Sequence, residues 1–504
     1  MSLLLQAAEC SDQESDDAVP LFTTGEIMTI TGGVLAQGLP PMTIRRIWTD
    51  SRTVRSGDLF VALAGVRFDG HQFVADALKK GAAGAIVRRG FVGAEGARVP
   101  VAPSNATGDG PHPARKAPWQ GLLIEVEDPL RAFQELARAH RHRFDIPVVA
   151  VSGSNGKTTT KEMIGAILTE RFPTLKTDGN LNNHIGVPRT LLRLTARHRA
   201  AVIEMGISRQ GEMTRLCEIA EPTHGVLTNI GPTHLETLGD LRTVAQAKGE
   251  MLDRLPRDGT AVLNADDVFF KDLAARVRGQ VRSFGFSGRA DVRALQVERR
   301  GPACSRMRVG VRGRARPLFV TLGVAGAHNL ANALAAIATG LALGVGERAI
   351  RAGLARFRPS AMRSEVRRWR GVTWLNDCYN ANPSSLRAAL RWLTELKSEL
   401  KGDGRAIAVL GDMLELGEGS VRIHRDIGEE LARQGTDYLL TVGELAAEIA
   451  AGARRAGMPD DRMIVTQEHA ALAERLQGIL REGDVVLLKG SRGARMERVL
   501  EELA

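Results

Sequence analysis

One stretch of this chain, in which an apolar run turns through glycine into Gly-Lys-Thr, constrains the fold more than any other. The run Ile146–Val151 has the pattern of a buried strand, and the residues that follow open a predicted helix. The turn and the start of the helix comprise Gly153, Ser154, Asn155, Gly156, Lys157, Thr158 and Thr159. This order is typical of a phosphate-binding loop, because glycine lets backbone N–H groups approach phosphate oxygens and a helix N-terminus favours negative charge.

The chemistry predicted for this loop is the binding of ATP with Mg²⁺. Lys157 is expected to reach the β- and γ-phosphates, and the Thr158 hydroxyl is expected to sit on Mg²⁺. Only two residues separate the two glycines, where the usual phosphate loop has four. The flanking strand and helix therefore carry the prediction, and the alternative is an ordinary strand-to-helix turn with a fortuitous lysine.

The basic charge of the chain is the feature of its composition that needs interpretation. The net charge is +10, which invites a nucleic-acid-binding hypothesis. The basic residues are nevertheless scattered, aromatic residues make up only 4%, and no predicted helix carries a basic stripe interleaved with aromatics. We interpret the charge as an arginine-rich solvated surface and expect no nucleic acid partner.

Cysteine usage and the N-terminus bear on the compartment. Four cysteines without a CxxC pair argue against a disulfide framework or a structural zinc site and fit a reducing environment. The N-terminus has a short apolar stretch without a preceding basic region, which is not the pattern of a signal peptide. No run approaches about 18 consecutive apolar residues, so no membrane insertion is expected. Together these features predict a cytoplasmic protein.

With 504 residues the chain is too long for one compact domain, and we predict three. Residues 1–20 are acidic and are predicted to form a disordered tail. Residues 21–145 mix short strand-like runs with a helical run. They contain a predicted surface insertion at about 93–120, where a Gly-, Pro-, Ala- and Ser-rich composition cannot bury a core.

Residues 146–356 and 357–504 both alternate strand-like runs with helical stretches, which predicts an α/β fold with largely parallel sheets. The expected architecture has a central phosphate-loop domain with a parallel sheet. An N-terminal α/β domain and a C-terminal Rossmann-like domain flank it.

Polar side chains follow two later strands of the central domain, and ligands of open α/β sheets gather at the carboxyl ends of strands. Glu204 follows one apolar run, and His234 lies shortly after another. Because Mg²⁺ prefers oxygen ligands, Glu204 is a natural metal ligand. His234 is predicted as a second one, with an ordinary loop histidine as the alternative. Lys248, inside a helical run, reads by itself as a solvated lysine.

These residues, together with further motifs, resemble the Mur ligase family. The phosphate loop, the stretch Asn229–Glu236 and the pair Ala247-Lys248 carry the general resemblance. Further stretches resemble the members that add D-alanyl-D-alanine: Gly179–Pro188, Asp377–Pro383, Leu410–Gly417 and Lys489–Arg492. The run Tyr379-Asn380-Ala381-Asn382-Pro383 best discriminates these members from those that add earlier amino acids. The resemblance covers the chain from about Thr24 to its end, apart from 93–120.

The resemblance implies roles for residues that composition and spacing leave open. It implies that the three domains bind a UDP-sugar, bind ATP and close over the site. It also implies that Lys248 is carbamylated, since a bare ammonium would repel Mg²⁺ whereas a carbamate presents oxygens to it. Asn329 matches the family position at the adenine, and Arg363 and Asp377 match positions at the γ-phosphate and the ribose. The implied substrate contacts are Ser51, Arg52, Asn180, Asn182, Asn380 and Asn382.

The reaction implied by the resemblance is ATP-dependent joining of a carboxylate to an amine. The partners would be UDP-N-acetylmuramoyl-tripeptide and D-alanyl-D-alanine, with a monomer as the expected state. The third residue of the tripeptide, lysine or diaminopimelate, is left open. Two alternatives remain: a ligase that adds a single amino acid, such as a sister Mur ligase or a folate-type glutamate ligase, and a phosphate-loop NTPase that acts as a regulatory or nucleic-acid-binding module.

Overall fold

The computed structural model of the chain describes residues 21–38, 42–65, 68–91, 121–399 and 403–504. The predicted tail 1–20 and the predicted insertion 93–120 lie outside the described residues. The chain divides into two compact units, the first ending at Asp145 and also holding Leu191–Leu194, the second comprising the rest. Of the helices in the described ranges, none has the length and apolar character needed to cross a bilayer.

The first unit is built on a five-stranded sheet, the N-terminal sheet, with strand order β2-β7-β6-β5-β4. Its elements are β1 (Phe22–Thr23), α1 (Thr24–Thr31), β2 (Val34–Gln37), β3 (Thr43–Ile44), β4 (Arg46–Trp48), β5 (Asp58–Val61), α2 (Val74–Lys79), β6 (Gly84–Arg88), β7 (Leu122–Val126) and α3 (Pro129–Arg141). Helix α3 starts where the sequence favours it, because the Asp128 carboxylate accepts from the N–H groups of Leu130 and Arg131 and a proline follows at the first helical position.

The second unit begins with a nine-stranded sheet, the central sheet, of order β16-β15-β14-β13-β12-β11-β8-β10-β9. Its elements are β8 (Val148–Ser152), α4 (Lys157–Thr169), β9 (Thr174–Lys176), α5 (Gly186–Leu191), β10 (Ala200–Glu204), α6 (Glu212–Ala220), β11 (His224–Leu227), α7 (Leu235–Leu238), α8 (Leu241–Asp253), β12 (Thr260–Asn264), α9 (Phe270–Ala275), β13 (Gln280–Gly285), β14 (Val292–Arg299), β15 (Ser305–Val311), β16 (Leu318–Leu322), α10 (Ala327–Ala342) and α11 (Glu347–Arg356).

Strand β8 is buried at every position, which explains its continuous apolar sequence. It pairs in parallel with β10 on one side and with β11 on the other. Side chains of α4 such as Ile164 and Ile167 share one core with Leu334 and Ile337 of the alanine-rich α10. The carboxyl ends of β8, β10 and β11 therefore meet at one edge of the sheet, against a rigid layer of helices.

A six-stranded sheet, the C-terminal sheet, completes the second unit with order β17-β18-β22-β19-β20-β21. Its elements are β17 (Glu365–Trp369), β18 (Val372–Asn376), α12 (Pro383–Glu399), β19 (Ala406–Gly411), α13 (Ser420–Arg433), β20 (Tyr438–Val442), α14 (Ala446–Arg455), β21 (Met463–Thr466), α15 (His469–Ile479), β22 (Val485–Lys489) and α16 (Glu497–Leu503). Leu390 and Leu393 lie in the core on one face and Leu472 and Leu476 in the core on the other, as in a doubly wound fold.

The predicted α/β fold class with parallel sheets is confirmed, and the alternation of strands and helices follows the sequence prediction closely. The prediction missed one feature. Strands β14, β15 and β16 form an antiparallel extension of the central sheet. Exposed and buried positions alternate in Leu318–Leu322, for example, whereas the parallel strands β8 and β10 are buried at every position. The exact domain boundaries drawn from the sequence stay predictions.

Candidate active site

The loop between β8 and α4 has the backbone geometry that a phosphate-binding turn needs. Gly153 has φ +138° and Gly156 has φ +79°, in the region that side chains disfavour. A Cβ at Gly153 would overlap the Thr228 hydroxyl, and one at Gly156 would overlap the Asn332 amide. Both positions thus require glycine for conformation and for space.

Residues 228–231, which follow β11, form hydrogen bonds with this loop. Ser154 Oγ donates to the Gly231 carbonyl at 2.8 Å, and the Ser154 N–H donates to the Asn229 carbonyl at 2.9 Å. The Asn155 N–H donates to Asn229 Oδ1 at 3.1 Å. The Thr228 hydroxyl also donates to the Asn155 carbonyl at 2.5 Å. The loop is therefore pre-organised, and the polar groups of Ser154 serve the loop itself.

Lys157 and Thr158 occupy the first turn of α4, where unpaired backbone N–H groups favour an anion. The Lys157 ammonium donates to the Gly153 carbonyl at 2.7 Å, so it lies over the loop. The Thr158 side chain is buried and has no hydrogen-bond partner within the described part of the chain. Thr159 follows in the same turn. The contacts of these residues to phosphate and Mg²⁺ stay predictions.

Glu204 lies at the end of β10 and is the carboxylate of this edge that fits a metal ion. It is only 1% exposed, and its Oε1 accepts from Asn182 Nδ2 at 2.8 Å. Its Oε2 is buried without any hydrogen-bond partner, and the ammonium of Lys161 is 3.9 Å away. A buried charged oxygen without a partner is costly, and a hard cation would satisfy it.

A metal ion here must take most of its ligands from groups other than carboxylates. The described residues contain no group of three or more His, Cys, Asp or Glu side chains placed to hold a metal. Mg²⁺ is commonly held by one or two carboxylates with phosphates and water completing its shell. The residues present fit Mg²⁺ in that way.

Lys248 of α8 is buried and lies near Lys157. Burial and then the charge of Lys157 hold the pKa of Lys248 well below its ordinary value. Its amine has no hydrogen-bond or ion-pair partner among the described residues. Burial also lowers the pKa of Lys157, a shift that Glu204 opposes and Arg363 reinforces. Lys157 therefore interacts electrostatically with Lys248, with Arg363 and with the buried carboxylate of Glu204.

His234 lies in the same cluster and is half-buried. Burial lowers its pKa, Glu415 opposes this shift, and Lys248 and Lys157 reinforce it. Its Nδ1 is 2.6 Å from the Glu415 carboxylate, which belongs to the loop after β19 of the C-terminal sheet. The structure thus brings the predicted residues Lys157, Glu204, His234 and Lys248 together.

The C-terminal sheet contributes Arg363 and Asp377. The Arg363 guanidinium stacks over the Tyr379 ring at 3.7 Å from its centroid. Asp377 accepts from the Ser364 N–H at 2.9 Å and forms an ion pair with the buried Lys489. Both side chains are therefore held in place by neighbours before any nucleotide binds.

The run Tyr379–Pro383 contacts the phosphate loop directly. Asn382 Nδ2 donates to Asn155 Oδ1 at 2.6 Å, and Asn155 Nδ2 donates to Ser384 Oγ at 2.7 Å. Asn382 Oδ1 also accepts from the Ser385 N–H and so caps α12. Asn380 Oδ1 accepts from the Ala381 N–H at 2.9 Å, and its amide nitrogen has no hydrogen-bond partner in the described part of the chain.

Other predicted site residues have different surroundings. Asn329 is buried at the start of α10, where its amide donates to the Ala325 carbonyl at 2.8 Å. Asn180 lies in the loop that also carries Asn182. Ser51 and Arg52 belong to the first unit, where Arg52 is exposed and pairs with Asp50 at 2.8 Å. Their predicted role in substrate binding stays a prediction.

Sequence reasoning missed several residues of the cluster. Lys161 lies one helical turn after Lys157, and this i, i+4 spacing on a buried face was the signal that could have identified it. Its ammonium donates to the Thr177 carbonyl at 2.6 Å and neighbours Glu204. Glu415 lies in the family stretch Leu410–Gly417 but was given no role, and Asn332 gave no local signal. Only the tertiary structure places them beside His234 and Gly156.

The fold and the site define a phosphate-loop enzyme with a cationic, metal-compatible cluster of side chains at strand ends. The family description "Mur ligase middle domain" matches residues 151–340, "Mur ligase, glutamate ligase domain" matches 362–492, and "Mur ligase family, catalytic domain" matches 43–141. The chain belongs to the Mur ligase family.

Individual relatives resemble the chain over nearly its whole length. The UDP-N-acetylmuramoyl-tripeptide–D-alanyl-D-alanine ligase of Bacillus subtilis is 33% identical over 95% of this chain and 98% of its own. The ligase of the same name from Escherichia coli is 35% identical over 95% and 98%. A crystal structure of MurF from Acinetobacter baumannii has a TM-score of 0.82 at 33% identity, covering 96% of this chain and 99% of that one. MurF of Thermotoga maritima in complex with ADP has a TM-score of 0.75 at 29% identity, covering 91% and 96%.

Proposed function

We propose that this chain joins D-alanyl-D-alanine to UDP-N-acetylmuramoyl-tripeptide at the expense of ATP, in the cytoplasm and as a monomer. The observation that carries the proposal is the buried Glu204, whose Oε2 has no hydrogen-bond partner among the described residues, next to Lys157, which also interacts electrostatically with Lys248 and Arg363. Such a cluster suits a polyphosphate with Mg²⁺. The similarity to ligases of this specificity supports the choice of substrates.

In the first step, the terminal carboxylate of the tripeptide attacks the γ-phosphate, which gives an acyl phosphate and ADP. Lys157 and Arg363 stabilise the charge that spreads over the transferring phosphoryl oxygens. Asp377 binds the ribose, and Asn329 lies at the adenine. Thr158, Glu204, His234 and carbamylated Lys248 would hold magnesium directly or through water, and the ion would supply further charge neutralisation on the phosphates.

Carbamylation of Lys248, which the family resemblance implies, is compatible with its surroundings. Only a neutral amine can add to carbon dioxide, and burial beside Lys157 favours the neutral form. The carbamate carries a negative charge, which offsets the excess of cations around it. The carbamate also presents oxygen atoms to a cation, which the bare amine does not have.

In the second step, the amine of D-alanyl-D-alanine attacks the activated carbonyl and phosphate leaves. Asn380, whose amide nitrogen is available, is the better candidate for a contact to the dipeptide. The side chain of Asn382 is bonded to Asn155 and to the α12 N-terminus. Water would hydrolyse the acyl phosphate, so the contact between the C-terminal sheet and the phosphate loop serves to exclude it.

A phosphate-release assay with the purified full chain tests this function. We expect ATP turnover that requires both UDP-N-acetylmuramoyl-tripeptide and D-alanyl-D-alanine. Tripeptides ending in lysine and in diaminopimelate are assayed in parallel to identify the third residue. Turnover with single amino acids would indicate a sister ligase or a folate-type ligase. Turnover stimulated by nucleic acid would indicate a regulatory NTPase, and either result without dipeptide-dependent turnover would refute the proposal.

A further inference from the structure

The stretch Leu410–Gly417 carries part of the family resemblance but has no role in the reaction described above. It spans the end of β19 and the loop that follows. Glu415 of this loop contacts the central sheet at two points. Its carboxylate is 2.6 Å from His234 Nδ1, and its carbonyl accepts from the Glu236 N–H at 3.4 Å.

The backbone at this contact is unusual on both sides. Glu415 has φ +63° and His234 has φ +53°, although neither residue is glycine. Such conformations cost roughly 1–2 kcal/mol each and persist where surrounding structure requires them. Among the described residues seven non-glycine positions have positive φ, and two more of them, Met362 and Ser364, flank Arg363. Strained backbone is therefore concentrated at the residues that surround the reacting phosphate in the proposed reaction.

The contact also determines which ring nitrogen of His234 carries the hydrogen. An ionised carboxylate can only accept hydrogen bonds, so Nδ1 of His234 must carry the hydrogen. In the neutral ring, Nε2 then holds the lone pair, and it has no hydrogen-bond partner among the described residues. In this tautomer Nε2 is the nitrogen that can bind a metal ion or accept a hydrogen bond from a metal-bound water.

We propose that Glu415 is a positioning residue that fixes the tautomer and orientation of His234 when the C-terminal sheet docks on the central sheet. Glu415 and His234 belong to loops of different sheets, so the contact exists only while the two sheets are apposed. The metal-binding form of His234 is therefore completed by closure. This inference rests on the proposed function, because it takes His234 as part of the metal–nucleotide site.

The role is one of orientation rather than of stability. The side chain of Glu415 is 62% exposed and that of His234 is 33% exposed. An ion pair in such a setting adds little to the free energy of folding. Loss of a carboxylate that orients a metal-binding histidine, in contrast, typically weakens metal affinity by about 10- to 100-fold.

The experiment is a calorimetric titration of Mg²⁺ into the full chain saturated with a non-hydrolysable ATP analogue. We expect Glu415→Ala to weaken Mg²⁺ binding about tenfold. Glu415→Gln should retain most of the affinity, because the amide oxygen still accepts from Nδ1. Glu418→Ala removes an exposed carboxylate three residues further along the chain and should match the wild type.

A double-mutant cycle separates positioning from a merely structural contact. If Glu415 acts through the imidazole, Glu415→Ala should add no further loss of Mg²⁺ affinity to a His234→Ala chain. An equal loss in both backgrounds would overturn the proposal, as would a Glu415→Ala chain with wild-type Mg²⁺ affinity. If the wild type bound the analogue without any dependence on Mg²⁺, the proposed function itself would fail.

Discussion

At the scale of single residues, the surroundings of a side chain decide its chemistry here more than its identity does. Lys248 and Lys271 are both helical lysines in the central domain, yet the first is buried and the second is exposed. Burial and the neighbouring Lys157 lower the pKa of Lys248, so that its amine becomes available for modification. Sequence alone reads both residues as solvated.

Removal of the Lys248 side chain tests its proposed carbamylation. We expect Lys248→Ala to lose most of its ligase activity, and short carboxylic acids added to the assay should restore part of it by replacing the carbamate oxygens. Lys271→Ala is the control and should behave as the wild type. Full activity of Lys248→Ala, or a loss that no carboxylic acid restores, would contradict the carbamate role.

His140 of the first unit makes the stability depend on pH. Burial lowers its pKa from 6.5 to about 4. Between these two pH values the unfolded chain binds a proton that the folded chain does not. The contribution of His140 to stability is therefore fully present above pH 6.5 and is lost as the pH falls towards 4. The contribution reaches at most about 3 kcal/mol.

We expect His140→Gln, whose amide can still donate to the Leu194 carbonyl, to flatten this dependence. Scanning calorimetry between pH 7 and 4 measures it. The unfolding midpoint of the wild type should fall more steeply than that of the variant. His224, His328 and His424 also have lowered pKa values and leave a residual slope in both chains. Parallel curves for the two proteins would contradict the assignment.

At the scale of elements, close approach of helices holds the phosphate-loop helix in place. Gly353 of α11 lies against the backbone of α4, and a Cβ there would come within 2.6 Å of the Ala166 carbonyl oxygen. Because backbone cannot yield as a flexible side chain can, glycine is required for packing at this point. The position of α4, and with it of Lys157, depends on this contact.

Two helical glycines provide a matched test of this packing. Gly353→Ala should destabilise the chain by roughly 1–3 kcal/mol through overpacking. Gly478→Ala, at an exposed helical position with open space around the added methyl, should instead stabilise it by about 0.4–1 kcal/mol. Chemical denaturation of both variants measures the two effects. A stabilised Gly353→Ala chain would contradict the prediction, because it would show that α4 and α11 can separate without a loss of stability.

At the scale of the whole molecule, the second unit joins the phosphate loop to the C-terminal sheet through Asn382. This side chain caps α12 and donates to Asn155. Domain closure and loop geometry are therefore linked through Asn382, together with the hydrogen bond from Asn155 to Ser384. Through this link, the position of the C-terminal sheet can depend on the conformation of the loop that is proposed to hold ATP.

Two substitutions at Asn382 separate its functions. Asn382→Asp keeps an oxygen for the cap but loses the donor, whereas Asn382→Ala loses both. We expect the KM for ATP to rise severalfold in both variants. Only Asn382→Ala should lose about 1 kcal/mol of stability, since a lost N-cap costs about that much. An unchanged KM in both would show that the contact to Asn155 does not matter for nucleotide binding.

The fold class was predictable because its signals are local. The strand, glycine turn and helix at 148–169 follow one another in the chain, and each has its own pattern of apolar residues. The antiparallel strands β14–β16 were missed because their weaker, alternating pattern includes many arginines. Of the candidate site, Lys157, Thr158 and Glu204 could be predicted from motif and strand-end position, whereas Lys248 needed the family resemblance.

The sequence by itself determined the phosphate loop, the alternation of strands and helices, and the family, because these depend on contiguous residues whose spacing can be read directly. Only the tertiary structure decided which distant groups share one environment. Glu415 meets His234, Lys161 approaches Glu204, and Asn382 bonds to Asn155, in each case between segments far apart in the chain. Burial and Coulomb interactions act through space rather than along the sequence, so the protonation states and orientations on which the reaction depends are set only by the packed fold.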